Sequence, residues 1–481
     1  MITKPDPIVI QGGMGAAVSA WQLARAVAQI GQMGVVSGTA LDLVLCRRLQ
    51  LGDPGGDLRR AMAEFPFPEM IDPILDRYFI PGGKAPDVPF ISCAMPNASP
   101  TRRQLELIVV SNFVEVFLAK EGHDGLVGIN YLEKIQVPTL ASLFGAMLAG
   151  VDYVLMGAGI PRAIPGILDK LSQGESVELS LHVSGANGDD NFVTRFSPEE
   201  FTAGEVPWLK RPKFLAIIAS PALATMLARK SSGKVDGFIV EGPTAGGHNA
   251  PPRGAMELNE RGEPIYGERD VPDLEAIRSL GLPFWLAGSY GTPERVAEAL
   301  AIGAAGVQVG TAFAFCEESG LREDIRREVL DMVRAGTLDV RTEPRVSPAG
   351  FPFKVLQLPG SMSDESVCHE RTRLCDLGFL RQAYKQADGS LGWRCPAEAI
   401  DAYVRKGGDE ADTCGRKCVC NGLLANVGLG QVRANDGVEL PLVTSGDDVR
   451  SILSFLPTLE AQSYSAKDVV AHLLAEVTTS V

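Results

Sequence analysis

Four short segments carry the residue types from which a reactive site can be built. Val240-Glu241-Gly242-Pro243-Thr244-Ala245-Gly246-Gly247-His248 follows an apolar run. The paired glycines Gly246 and Gly247 let a backbone lie flat against a planar ligand. His248 then projects toward whatever the glycines approach, and an imidazole titrates near working pH, which suits proton transfer. A structural histidine beside a tight turn fits the same pattern. Ala287-Gly288-Ser289-Tyr290-Gly291-Thr292 and Val309-Gly310-Thr311 also follow apolar runs. Their backbone N–H groups, a helix N-terminus and the hydroxyls of Ser289 and Thr311 together make a phosphate site. Two ordinary strand-to-helix turns are the alternative. The fourth segment, Gln11-Gly12-Gly13-Met14-Gly15, lacks GxGxxG spacing. Its glycines suit a flat ring with Met14 as a soft lid, or a plain turn.

The cysteines pose a separate question. There are nine, and six of them fall between Cys368 and Cys420. Thiolates at this density suit zinc or an iron–sulfur cluster, with Cys395, Cys414, Cys418 and Cys420 as candidate ligands. Cys414-x3-Cys418-x-Cys420 is the tightest group, with His369 next to Cys368. Buried free thiols are the competing reading. The odd total fits a reducing compartment better than a disulfide framework.

Elements that could position these residues recur along the chain. Apolar runs occur at 8–10, 35–36, 126–129, 153–156, 215–218, 237–240, 284–287 and 306–309. They are continuous rather than alternating, as strands buried on both faces are. Ser220-Pro221 and Thr292-Pro293 between them read as helix starts, with a capping hydroxyl before proline at the first helical position. Repetition of this unit predicts an α/β fold, a (β/α)8 TIM barrel, with a doubly wound open sheet as runner-up. Residues 40–125 read as an insertion after the second strand, over one end of the barrel. The chain then divides into a barrel over 1–338 and a cysteine-rich extension over 339–481, with a helix across Ser465–Val477.

Composition narrows the classes further. The chain has 481 residues, of which 52 are glycine, and its net charge is −14. That balance argues against nucleic acid or an anionic membrane as a partner. The opening residues lack a charged and then apolar leader. The longest apolar stretch, 214–228, is broken by Ser220-Pro221 and is too short to cross a bilayer. A cytoplasmic protein acting on a small molecule is expected.

Taken in order, these motifs resemble the nitronate monooxygenase (2-nitropropane dioxygenase) family of FMN-dependent barrels, which includes flavin-type enoyl-acyl-carrier-protein reductases. Ile8–Gly15 resembles the opening strand and flavin-side turn of that family, and Gly128-Ile129-Asn130 a strand ending in an asparagine near the flavin. Gly242–His248 resembles its Gly-x-x-Ala-Gly-Gly-His signature. Leu286–Gly291 with Ala304–Thr311 resembles its phosphate turns. The resemblance covers about residues 5–320 and implies FMN. The phosphate would sit on Gly288, Ser289, Gly310 and Thr311, and the ring near Gly13, Met14, Asn130, Gly246 and Gly247. His248 matches the catalytic histidine. Thr244 stands where an acidic residue is common, and Ser289 where a second glycine is usual. No dinucleotide fingerprint is present, although NAD(P)H as an electron donor stays open. Three activities follow: oxidation of an alkyl nitronate with O2; NAD(P)H-dependent enoyl reduction on an acyl carrier protein; or, in another class, a non-redox phosphate-binding barrel or a metal-cluster partner subunit.

Overall fold

The computed structural model describes residues 5–434, 436–458 and 460–477. Eight parallel strands form its centre: β1 (Val9–Gln11), β2 (Gly34–Ser37), β3 (Val127–Leu132), β4 (Tyr153–Gly157), β5 (Lys213–Ile218), β6 (Gly237–Glu241), β7 (Phe284–Ala287) and β8 (Gly306–Val309). Each pairs in parallel with its sequence neighbour from β2 through β8, and β8 pairs with β1. The last seam, between β1 and β2, closes through Gln11 N–H to Met33 O at 2.9 Å and Met33 N–H to Val9 O at 3.1 Å. The sheet is therefore the expected barrel and not the doubly wound alternative.

Successive residues on a strand point to opposite faces. In β6, Ile239 points into the barrel, where it packs with Ile10, Val35, Leu155, Leu215 and Trp285. Its neighbours Phe238 and Val240 point outward under the helices. Both faces are apolar, which is why the strands read as unbroken runs. Trp285 is fully buried, and its indole N–H reaches Pro7 O at 2.8 Å.

The expected caps form. Ser220 Oγ accepts from Leu223 N–H at 3.2 Å, and Thr292 Oγ1 from Arg295 N–H at 3.4 Å. Each satisfies an amide that a helix start leaves without a partner.

The 40–125 insertion needs correction in part. Its last element, the helix Arg102–Lys120, packs between Trp21–Gln29 and Thr139–Leu148 and is the barrel's own second outer helix. Its sequence shows no amphipathic stripe because nearly every residue from Glu106 to Ala119 is buried. The helices Leu41–Gln50 and Asp57–Ala63 cover its outer side. The true addition is thus those two helices, the helix Asp72–Tyr78 and the chain that follows it.

The chain beyond residue 338 is built into the barrel. The hairpin Val340–Glu343/Phe353–Leu356 and the helix Val419–Ala425 lie at the mouth, and the hairpin Gln382–Lys385/Leu391–Arg394 pairs with Val183–Ser184. Asp447–Phe455 packs on Thr311–Ala314 and Glu323–Arg334. The helix Ala466–Leu473 packs against both Trp21–Gln29 and Pro293–Ala301, where a barrel's eighth outer helix belongs. The sequence reading ran this helix on to Val477; the structure ends it at Leu473.

Candidate functional site

A cavity opens at the C-terminal ends of the strands, where barrel enzymes keep their active sites. All ten candidate residues line it: Gly13, Met14, Asn130, Gly246, Gly247, His248, Gly288, Ser289, Gly310 and Thr311. They come from the ends of β1, β3, β6, β7 and β8. The far wall comes from the C-terminal segment, with Leu380, Val419, Cys420, Leu424 and Thr444 among its residues.

The first turn is held by side chains the sequence reading passed over. Ser19 Oγ accepts from Met14 N–H at 3.0 Å and donates to Gly12 O at 2.9 Å, and Gln11 Nε2 donates to Ser19 Oγ at 2.9 Å. Gly13 must be bare, since a Cβ there would lie 2.4 Å from Asn130 Cβ. The two glycines before His248 serve different needs. A Cβ on Gly246 would meet the backbone of Ser445 and Gly446 at 2.8 and 2.9 Å. Gly246 therefore makes room for the C-terminal segment. Gly247 has φ 81° with open space beside it, and its N–H donates to Thr444 Oγ1 at 2.8 Å.

His248 is half-buried against Phe353, ring centroids 4.8 Å apart, and shares a 2.6 Å hydrogen bond between Nε2 and Ser347 Oγ. Ser347 Oγ also accepts from Ala349 N–H at 3.2 Å. Burial, assisted by the Lys134 ammonium, lowers the imidazole to about 4. At neutral pH the ring is uncharged. Glu241, at the end of β6, lines the same cavity, and burial pushes its carboxyl up to about 8. The site thus holds a neutral imidazole and a protonated acid, an arrangement that environment alone can impose on two titratable groups.

The phosphate cradle has three sides. After β7 the backbone is left-handed at Gly288 (φ 94°) and at Ser289 (φ 58°). The N–H groups of Ser289, Tyr290 and Gly291 have no acceptor among the described residues. After β8 come Gly310 and Thr311. The third side is the N-terminus of Asp447–Phe455, whose preceding Gly446 N–H donates to Thr311 Oγ1 at 3.1 Å. Loops after the seventh and eighth strands with the start of a short extra helix are the barrel's usual anion site. Here the helix arrives from more than 130 residues downstream of β8, and no local signal marks it.

These residues fit FMN in kind. The turns are rich in N–H donors for a phosphate. Two amide oxygens on the cavity wall, Gln308 Oε1 and Asn426 Oδ1, are buried without a partner. Buried acceptors without donors are costly, and a flavin ring carries an N–H that such an acceptor can take.

The metal reading fails among the described residues. No group of three or more His, Cys, Asp or Glu side chains is arranged to hold an ion there, and all nine cysteines are free thiols. Cys414 is exposed. Cys395 lies beside Cys375. Cys418 Sγ accepts from Asn421 Nδ2 at 3.4 Å, while Cys420 faces the barrel cavity. The physical reason lies in the helix Val419–Ala425. Cys418 precedes that helix in a non-helical conformation and Cys420 lies inside it, so the two thiols take different partners.

Comparison with known proteins agrees with this geometry. Residues 199–343, from before β5 to beyond β8, match the nitronate monooxygenase family model. The chain is 34% identical over 150 residues to the nitronate monooxygenase of Pseudomonas aeruginosa, covering 31% of this chain and 39% of that protein. It is 28% identical over 141 residues to the (3aS,4S,5R,7aS)-5-hydroxy-7a-methyl-1-oxo-octahydro-1H-indene-4-carboxyl-CoA dehydrogenase of Mycobacterium tuberculosis, covering 29% of this chain and 35% of that one. These alignments therefore span little more than a third of the relatives' own lengths. A nitroalkane oxidase from Streptomyces ansochromogenes is similar in structure, with a TM-score of 0.48 and 16% identity over 99% of this chain and 97% of that one. No helix among the described residues is long and apolar enough to cross a membrane.

Proposed function

We propose that the protein is an FMN-dependent oxidoreductase of the nitronate monooxygenase type. One observation carries the proposal: the family segment contains Glu241, Gly246, Gly247, His248 and both phosphate turns, and all of them line one cavity. Bound FMN would supply electron transfer between substrate and O2. The turns after β7 and β8 would hold its phosphate. Gly13, Met14, Asn130 and Gly247 would flank its ring, with Gln308 and Asn426 as acceptors.

The protein's own groups narrow the substrate. The neutral His248 keeps one ring proton, and Glu241 carries one too. Two such donors suit a substrate that arrives as an anion, where charge needs steadying rather than a proton removed. An alkyl nitronate is such a substrate, and its parent nitroalkane is not. The apolar wall at Leu380, Val419 and Leu424 excludes water and accepts the alkyl group.

That wall also favours a second reading, NAD(P)H-dependent reduction of an enoyl chain delivered by an acyl carrier protein. Anaerobic mixing separates the two. Purified protein loaded with FMN should be bleached by an alkyl nitronate and not by NADH or NADPH. Bleaching by a nicotinamide alone selects the reductase, and a protein that takes up no flavin refutes both.

A further inference from the structure

Two further cavities lead away from the main one, outward through the barrel wall. The inner one, about 20 Å³, shares Thr39, Ala40, Leu132, Ile135 and Phe379 with the main cavity. It meets the main cavity just past the ends of β2 and β3, on the side of Asn130 and across the barrel from the β7 turn. The outer one, about 440 Å³, shares Asp42 and Ile108 with the inner one and opens to solvent among the exposed Arg77, Arg103 and Arg195. The three spaces thus form a passage with a narrow neck. A space of about 20 Å³ holds about one water-sized molecule. Local sequence makes the room. Ala40, left-handed at φ 56°, carries only a methyl where the helix Leu41–Gln50 begins. Gly38 is bare because a Cβ there would lie 2.3 Å from the Tyr131 ring.

The wall of the neck offers water little to hold. Tyr131 Oη bridges Asn112 Oδ1 at 2.8 Å and Ser142 O at 3.0 Å. Asn112 Nδ2 donates to Ile108 O at 2.9 Å, and Thr139 Oγ1 donates to Ile135 O at 2.8 Å. These polar atoms have their partners within the protein, and Leu41, Ile108, Pro138 and Phe379 add apolar surface. Asp42 stands at the outer end. Burial raises its carboxyl to about 6, so at neutral pH it is still mainly ionised. A carboxylate there repels an incoming anion. A nitronate or a nucleotide is refused at this end on charge and on size, while a small neutral molecule passes. We propose that the neck is the entry route of O2 to the flavin ring, separate from the mouth that admits the substrate. The inference rests on the FMN reading above and names the path of its co-substrate. O2 is apolar, uncharged and small enough for the neck. A separate path lets it arrive while substrate or product fills the mouth.

The test replaces neck residues that lie outside the main cavity. Ile108→Phe and Ser142→Val, on two different helices, each add bulk to the neck, and either serves if the other folds poorly. Protein loaded with FMN is reduced anaerobically with dithionite and mixed with O2 in a stopped-flow spectrometer. Flavin reoxidation should slow by about tenfold in the variants, while anaerobic bleaching by an alkyl nitronate should change by less than about twofold. Reoxidation at the parental rate overturns the proposal, as does an equal slowing of both steps, which would mark general damage to the site. A second readout needs no flavin. Dissolved O2 is paramagnetic and speeds the relaxation of methyl groups that it touches. In the purified protein under O2, the methyls of Ile108 and Leu41 should relax faster than those of Ile239, which is sealed in the barrel core. Equal relaxation at all three overturns the route even where flavin binds. If no flavin binds but O2 relaxes Ile108 and Leu41 selectively, the neck stands as an O2 path and the FMN reading falls. If no flavin binds and the methyls relax alike, both fall.

Discussion

Gly246→Ala tests how the C-terminal segment is joined to the site. The added methyl would lie 2.8 Å from the Ser445 carbonyl carbon and 2.9 Å from Gly446 N. Both neighbours are backbone, so the clash cannot be relieved by a rotamer change. Segment 444–448 must shift, which endangers the Gly247 N–H to Thr444 bond and the Gly446 N–H to Thr311 bond. Forcing a methyl into a packed site costs about 1–3 kcal/mol. Unfolding entropy of about 2.1 cal/mol/K per residue amounts to roughly 1 kcal/mol/K for this chain, so a single thermal transition should fall by about 1–3 °C. The local effect is larger and more telling. Hydrogen exchange across 444–448 should accelerate by about tenfold or more, since about 1.4 kcal/mol of lost closure corresponds to that factor. Gly247→Ala is the control: it has open space and is strained only by its φ of 81°. Its exchange at 444–448 should stay within a few-fold of the parent. Equal protection in Gly246→Ala and the parent would refute the claim that Gly246 is bare for the sake of this segment.

Three other outcomes are expected. His248→Ala should keep bound flavin but lower kcat/KM for a nitronate by about 10²–10³-fold, the usual loss when a donor to a developing anion is removed, as measured by steady-state kinetics at saturating FMN. Glu241 holds its proton to about pH 8 when folded and to about 4.5 when unfolded. The folded state therefore binds more protons across that window, and stability falls as pH rises through it by up to about 1.4 kcal/mol per pH unit; Glu241→Gln should flatten that decline in denaturant titrations. Glu439 is buried between Arg371 and Arg433, with Arg433 Nε at 3.0 Å. Glu439→Gln leaves the buried Arg371 without its carboxylate, while Arg433 keeps Asp376 at 2.8 Å, and should cost about 3–5 kcal/mol in the same titrations.

The barrel was legible because each strand is buried on both faces and announces itself as a short apolar run with glycine behind it. That the ten candidate residues share one cavity has the same origin: each stands within a few residues of a strand end. Four kinds of feature were not legible. The helix 102–120 has apolar residues all round, so no stripe gives its orientation. Glu241 and Gln308 sit inside apolar strands, and only the closed ring shows that they face a cavity. Ser347 and Thr444 come from a segment with no motif of its own. The cysteines misled because nearness alone does not aim thiols at one point, and no three of them converge on an ion among the described residues.

Taken alone, the amino-acid order determines local matters: which segments are strands, where Ser220 and Thr292 start helices, and which turns offer bare backbone to a ligand. These depend on the backbone preferences of a few neighbouring residues. The tertiary structure decided what stands opposite. It brought residues 444–448 against Gly246 and Thr311, placed Ser347 on His248, gave Cys418 and Cys420 different partners, and set the helix 466–473 in the eighth place of the barrel wall. The pKa values of His248 and Glu241 belong to this second group, because burial is a property of the closed fold and not of any stretch of chain.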